Sequence, residues 1–371
     1  MKGIEYLYEL CEVLPRCGPG DNEFTRRAFN SIQALPKQPL ILDIGCGPGV
    51  QAIELAKISN GNIIALDNHR AFLDKLMETA AKEGLTENIT PKNISMLEMD
   101  FEEKSFDLIW SEGALYIMGF QNGLKECHRL LKNNGYLAVT ELVYIAPDPP
   151  APVLQYFANE YPDIKSVKGN IEVIQKEGFN LISNFTLPES AWFNSYYIPI
   201  ERELPRLNEK YTGNEIALGV YKAFQNEIDF YKKYSEFYGY EFFIMQKDQM
   251  PPKFLIINDE DGTRTVLTDI LEEKFPEAFI KTARNNQEAF RVIENFYPDI
   301  VITDFYHPGG ASGLAFLRRF KNDSRWKSIP VICFTPDDFF RMKDEEKKEF
   351  DAFCKTSITI DEFINCINRF L

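Results

Sequence analysis

The chain has 371 residues, 44% of them hydrophobic and 26% charged, which is the composition of ordinary globular domains and excludes a disordered or fibrous class. Its formal net charge of −15 repels a polyanion, and no Lys/Arg cluster interrupts the acidic excess, so nucleic acid is a poor substrate class. No run of about 18 apolar residues occurs, which excludes a membrane-spanning helix. The seven cysteines form no CxxC pair and fit free thiols in a reducing compartment.

The first residues, MKGIEYLYELCEVL, lack the positive flank and unbroken apolar run of a signal peptide. Ile4, Leu7, Leu10 and Leu14 instead fall on one helix face, and a cytoplasmic location is expected. His69, His128 and His307 have no partners at metal spacing, so neither a His metal centre nor a His-based triad is expected. From about residue 39 to 142 strand-like and helix-like segments alternate. Residues 150 to 240 are dense in Tyr, Phe and Trp with several prolines and read as additions to this first domain. The breaker-rich DQMPP then precedes a second alternation that starts with FLIIN. The expected domains are residues 1–250 and 251–371.

The segment PLILDIGCGPGVQAIELA reads as a buried strand, a turn through Gly45, Gly47 and Gly49, and a helix. Glycines suit such a turn because a side chain would block a ligand's approach to the backbone. A second strand, NIIALD, ends in Asp67, about 20 residues on, where a carboxylate can hold ribose hydroxyls. These features indicate an adenosine-containing cofactor. A dinucleotide prefers GxGxxG; here the spacing is GxGxG, with Asp43 two residues ahead. That carboxylate would repel a pyrophosphate and suits an ammonium or sulfonium cation.

DIGCGPG resembles motif I of class I S-adenosylmethionine-dependent methyltransferases of the small-molecule type, and the resemblance runs over roughly residues 1 to 249. It implies a Rossmann-like sheet with helices on both faces and a cofactor site comprising Asp43, Gly45, Gly47, Gly49, Asp67, Asn68, Asp100, Phe101 and Ser111. Asp67 matches the ribose ligand and Asp100, in LEMDFEE, the acceptor of the adenine amino group. PRCGPGDNEFT is similar to a PRxGPG lead-in that closes over the cofactor's amino-acid end, which adds Arg16, Gly18 and Gly20. SFDLIWSEGALYIMG looks like the fourth strand and the loop facing the methyl group, and GYLAVTEL like the fifth strand. Methyl transfer from a sulfonium needs alignment and dryness more than an essential base. Where the acceptor must lose a proton, Glu112, Tyr116 and Glu141 are the candidates. The aromatic region would pack mostly against itself, while part of it lines a pocket for an apolar or cationic molecule.

From Lys253 onward, FLIINDED, DIVITDFYHPGGASGLAFL, IPVICFT and FCKTSI are similar in order and spacing to a CheY-like response-regulator receiver, a flavodoxin-like (βα)5 fold. The resemblance implies phosphorylation at Asp304, Mg2+ at Asn258, Asp259, Asp304 and Tyr306, and support from Thr335 and Lys355. Three departures stand out: Asn258 in place of the first acid, Ala352 in place of a switching aromatic, and Thr356 in place of a proline. Expected partners are a small-molecule methyl acceptor, a histidine kinase or other phosphodonor, and a second copy of the chain; nucleic acid and membrane are not expected. The alternative that stays open is a non-catalytic adenosylmethionine-sensing adaptor with a degenerate receiver.

Overall fold

Strand β1 (Leu40–Ile44) shows how the first layers arise. Ile41 enters one apolar core while Leu42 and Ile44 enter another, because successive strand residues point to opposite sheet faces. The computed structural model describes residues 3–248, 251–305, 313–335 and 344–371, and the chain divides into two units, residues 1–248 and 249–371.

In the first unit β1 is joined by β2 (Asn62–Asp67), β3 (Ile89–Asn93), β4 (Phe106–Glu112), β5 (Leu131–Tyr144), β6 (Lys165–Ser166), β7 (Phe179–Thr186) and β8 (Tyr238–Lys247). Their order is β3-β2-β1-β4-β5-β8-β7, with β6 beside β5. β1 to β5 pair in parallel, whereas β8 runs antiparallel to both β5 and β7. One face is covered by helices Val50–Ser59 and Arg70–Glu83, the other by Phe120–Leu130 and Val167–Lys176. This is the Rossmann-like α/β sheet, and its strand order reverses between β1 and β4. At such a switch point the connections leave in opposite directions and a crevice opens beyond the carboxyl ends of the strands.

A further layer holds most of the aromatic residues. Helices Ile4–Val13, Ala151–Glu160, Ile198–Lys210 and Glu215–Tyr234 share one core with Leu10, Phe157, Leu204 and Tyr231. Residues 150–240 are thus largely helical. The chain's first helix joins them, a long-range pairing that local pattern does not encode.

The second unit contains β9 (Lys253–Ile257), β10 (Phe279–Ala283), β11 (Ile300–Thr303), β12 (Val331–Thr335) and β13 (Ala352–Lys355), all parallel, in the order β10-β9-β11-β12-β13. Leu255, Ile257 and Val301 face one core, Phe254, Ile256 and Ile302 the other, as expected of a doubly wound parallel sheet buried on both faces. Among the described residues no helix is long and apolar enough to cross a membrane.

Candidate functional site

The three glycines after β1 serve different ends. All have positive φ, +71° at Gly45, +53° at Gly47 and +85° at Gly49, a backbone region costly for residues with a Cβ. A Cβ on Gly45 would lie 2.4 Å from that of Ala114, and one on Gly49 would lie 2.2 Å from Leu76 Cδ1. Both glycines are therefore packing requirements. Around Gly47 the only neighbour among the described residues within 4 Å of such a Cβ is Cys17 Sγ, at 3.8 Å. Gly47 is the member of the turn whose outer face is left open.

Beneath the turn Asp43 is 0% exposed, and both its carboxylate oxygens lack a hydrogen-bond partner among the described residues. Burial first, then the nearby Glu112, pushes its carboxyl well above the ordinary range. A buried carboxylate without a partner is costly, so it favours a proton or a cationic ligand. At the end of β2, Asp67 accepts from the Gly47 and His69 amides, each at 2.9 Å. Asn68 is exposed and its Oδ1 accepts from Tyr8 at 3.4 Å. Tyr8 also stacks on His69 at 4.0 Å, and His69 meets Glu12 at 2.7 Å. Lys75 donates to the Glu12 and Leu14 carbonyls, and these contacts fasten the first helix over the carboxyl end of β2.

The lead-in is organised by Glu112, the last residue of β4. Its Oε2 accepts from Arg16 at 2.8 Å, and its Oε1 accepts from Thr25 at 2.7 Å and Trp110 at 2.9 Å. Arg16 also donates to Asn22, which donates to Glu54, and Arg26 closes the chain with an ion pair to Glu54. Sequence reasoning missed Asn22, Thr25, Glu54 and Trp110; the density of polar residues in DNEFTRR was the available signal. Gly20 lies beside this network, where a Cβ would meet Arg16 Nη1 at 3.1 Å and Glu112 Oε2 at 3.2 Å, whereas one on Gly18 would meet nothing within 4 Å among the described residues.

Ser111 is buried, and its hydroxyl donates to the Ile44 carbonyl at 3.0 Å. That bond ties β4 to β1. Asp100 is exposed in the loop before β4, and Phe101 packs edge-on against Phe106 at 5.3 Å. Tyr116 is 46% exposed, on a short helical turn after β4, with its ring 5.9 Å from Tyr161. Glu141 is 2% exposed and accepts from the Tyr161 hydroxyl at 2.5 Å; burial pushes its carboxyl up to about 7.

In the second unit Asp304 immediately follows β11; its amide donates to the Ile257 carbonyl at 3.1 Å and its Oδ1 accepts from the Phe305 amide at 2.6 Å. Thr335 and Lys355 are register partners at the ends of β12 and β13. Thr335 is buried and its hydroxyl has no partner among the described residues. Gly313, which sequence reasoning passed over, lets a helix approach the site: a Cβ there would lie 1.9 Å from the Asp304 carbonyl oxygen. The Asn258 side-chain oxygen accepts from the Glu260 amide at 2.8 Å. That oxygen caps the turn into the next helix. Among the described residues no group of three or more His, Cys, Asp or Glu is placed to hold a metal ion. Tyr306 lies outside the described residues.

Residues 41–135 match the methyltransferase domain family and residues 254–353 the response regulator receiver domain family. The sterol 24-C-methyltransferases of Aspergillus fumigatus and Kluyveromyces lactis are 23% and 25% identical to the chain over 177 and 182 residues. These alignments cover 43% and 47% of this chain and 45% and 49% of the relatives, so the chain spans about half the length of the curated proteins it matches. Two solved SAM-dependent methyltransferases, from Geobacter sulfurreducens and Thiobacillus denitrificans, each in complex with S-adenosyl-L-homocysteine, superpose with TM-scores of 0.58 and 0.54 at 16% identity. They cover 65% and 62% of this chain and 97% and 93% of their own. At that identity the likeness is one of fold.

Proposed function

We propose that this chain, which carries a methyltransferase domain over residues 41–135 and a response regulator receiver domain over residues 254–353, transfers a methyl group from S-adenosylmethionine to a small-molecule acceptor. The observation that carries the reading is the buried, unpartnered Asp43 carboxylate behind a glycine turn whose middle member, Gly47, is open. A cationic ammonium or sulfonium supplies the opposing charge that lets this carboxylate ionise, which a pyrophosphate does not.

In this reading the Gly47 backbone admits the cofactor closely, and Asp43 supplies the opposing charge at its amino-acid end. Asp67 holds the ribose, while Asp100 and Phe101 flank the adenine and Asn68 lies beside them. When bound, the cofactor supplies an electrophilic methyl group. The protein's part is to align the acceptor and exclude water, which the helix Ile4–Val13 and the lead-in serve by covering the crevice. Glu112 is reassigned from proton acceptor to anchor, because both its oxygens already accept hydrogen bonds. Glu141, beside Tyr161, keeps the role of proton acceptor where one is needed.

For the second unit the proposed chemistry is phosphoryl transfer to the Asp304 carboxylate. One carboxylate oxygen forms the new P–O bond as the donor's leaving group departs with its bonding electron pair. Lys355 would neutralise charge on the transferred group while the Thr335 hydroxyl donates a hydrogen bond to it, and Asp259 with Asp304 would hold a magnesium ion that lowers the same charge. We extend this to control of methylation by phosphorylation, supported by the presence of both domains in one chain.

Calorimetry on the full chain tests the first reading: S-adenosylhomocysteine binds, NADH does not, and Asp43→Asn weakens the former by about 10-fold or more. Binding of NADH alone would overturn it. Slow release of S-adenosylhomocysteine during incubation with metabolite pools separates an enzyme from a sensor, which would bind the cofactor and leave its methyl group in place.

A further inference from the structure

The family match ends at residue 135, so it stops short of the helical layer that faces the crevice. Glu227 lies in that layer, on the helix Glu215–Tyr234, and sequence reasoning missed it; an acid among Phe224, Tyr231 and Tyr234 was the signal. Resting on the methyltransferase reading above, we propose that Glu227 and the rings around it form the acceptor site, and that the acceptor is a small organic cation whose positively charged nitrogen anchors it while a separate lone-pair atom attacks the methyl carbon, the C–S bond breaking with its electron pair left on sulfur and the attacking atom's proton passing to Glu141.

Glu227 has one hydrogen bond among the described residues, from the Tyr197 hydroxyl at 3.0 Å, and no Lys, Arg or His there lies within ion-pair distance of it. Glu227 is half-buried; desolvation pushes its carboxyl up to about 7, and ionising it without a counter-charge is costly. A bound cation would hold it ionised. A neutral, wholly apolar acceptor would leave it unpaired among aromatic rings.

The rings suit the same guest. Trp192 stacks on Tyr231 at 4.1 Å and tilts against Tyr240 at 5.3 Å and Tyr197 at 5.7 Å, so the Glu227 carboxylate, bonded to Tyr197, borders an aromatic cluster whose outer ring faces would favour a cation over an anion. Independently, the Trp192 indole N–H, on a residue 3% exposed, has no acceptor among the described residues. A buried donor without an acceptor inside the ring cluster calls for a guest with a lone pair as well as a charge. A π-helical turn, Phe193–Tyr197, delivers Tyr196 and Tyr197, and such turns are rare and recur at functional sites.

The cluster also touches the crevice. The Tyr240 hydroxyl oxygen lies 3.7 Å from where a Cβ on Gly113 would stand, immediately after β4. Burial pushes the Tyr240 hydroxyl well up, with Tyr116, Glu141 and Glu227 adding to the effect, so it stays protonated.

The test uses the full chain saturated with S-adenosylhomocysteine and three probes of similar size: choline, 2-(dimethylamino)ethanol, and the uncharged 3,3-dimethylbutan-1-ol. Both cations should bind about 10-fold more tightly than the neutral isostere. Glu227→Gln should remove that preference while leaving S-adenosylhomocysteine affinity within about 2-fold. Should Glu227→Gln fail to fold, Trp192→Phe should weaken the cations several-fold and leave the isostere unaffected. Equal binding of all three probes, absence of binding by both cations, or a cation preference that survives these substitutions overturns the proposal. Loss of S-adenosylhomocysteine binding by the unaltered chain would instead overturn the methyltransferase reading beneath it.

Discussion

Arg16 and Glu112, separated by 96 residues in the chain, form a 2.8 Å ion pair whose side chains are only 7% and 6% exposed. The pair fastens the lead-in segment to the end of β4, directly beside Asp43. Because a buried pair stabilises little in itself but costs much when broken, its two halves are mutually dependent. Glu112→Ala should lower the unfolding free energy by about 3–5 kcal/mol in denaturant titrations, whereas the double change Arg16→Met with Glu112→Leu should recover most of that. A single substitution costing under about 1 kcal/mol would mean the pair is solvated in solution.

The glycine turn makes a contrast between neighbours. Gly49→Ala should lower stability by about 1–3 kcal/mol or more, since its Cβ meets Leu76 in a packed core. Gly47→Ala should cost only about 1 kcal/mol, the price of positive φ, yet weaken S-adenosylhomocysteine by about 10-fold or more. Thermal unfolding and calorimetry on both variants check this; equal losses of binding at both positions would refute the division of roles.

Glu141 predicts a pH signature. Its carboxyl is raised to about 7 from 4.5, so the folded state binds the proton more tightly than the unfolded one. The stability this contributes is complete below about pH 4.5 and is lost as pH rises towards 7. Glu141→Gln keeps an acceptor for Tyr161 and removes the titration. Relative to the unaltered chain, its unfolding free energy should therefore rise between pH 5 and pH 8 by on the order of 2 kcal/mol. A difference independent of pH would show that Glu141 is not held protonated.

In the second unit, acetyl phosphate with Mg2+ should add one phosphoryl group to the intact chain, seen as a mass increase that Asp304→Asn abolishes. Thr335→Ala should slow the addition without preventing it. Gly313→Ala, whose Cβ would stand 1.9 Å from the Asp304 carbonyl oxygen, should lower stability by about 1–3 kcal/mol and slow phosphorylation. Unchanged labelling of Asp304→Asn would place the modification elsewhere.

Local signals made much of the architecture legible. Alternation between buried strands and helices, a GxGxG turn and acids at strand ends are properties of short segments, so Asp43, Gly47, Asp67 and the strand-end positions of Thr335 and Lys355 could be read in one dimension. What tertiary structure alone decided were partnerships. Ser111 and Glu112 read as candidates for ligand contact or proton transfer, but the Ile44 carbonyl, Arg16, Thr25 and Trp110 reach them first. Asn258 stood in a metal position, yet its oxygen turns to the Glu260 amide. Glu227 had no motif to mark it; its character comes from rings that three separate segments bring together. A polar side chain's chemistry depends on its desolvation and its nearest donors, and those are set by long-range packing.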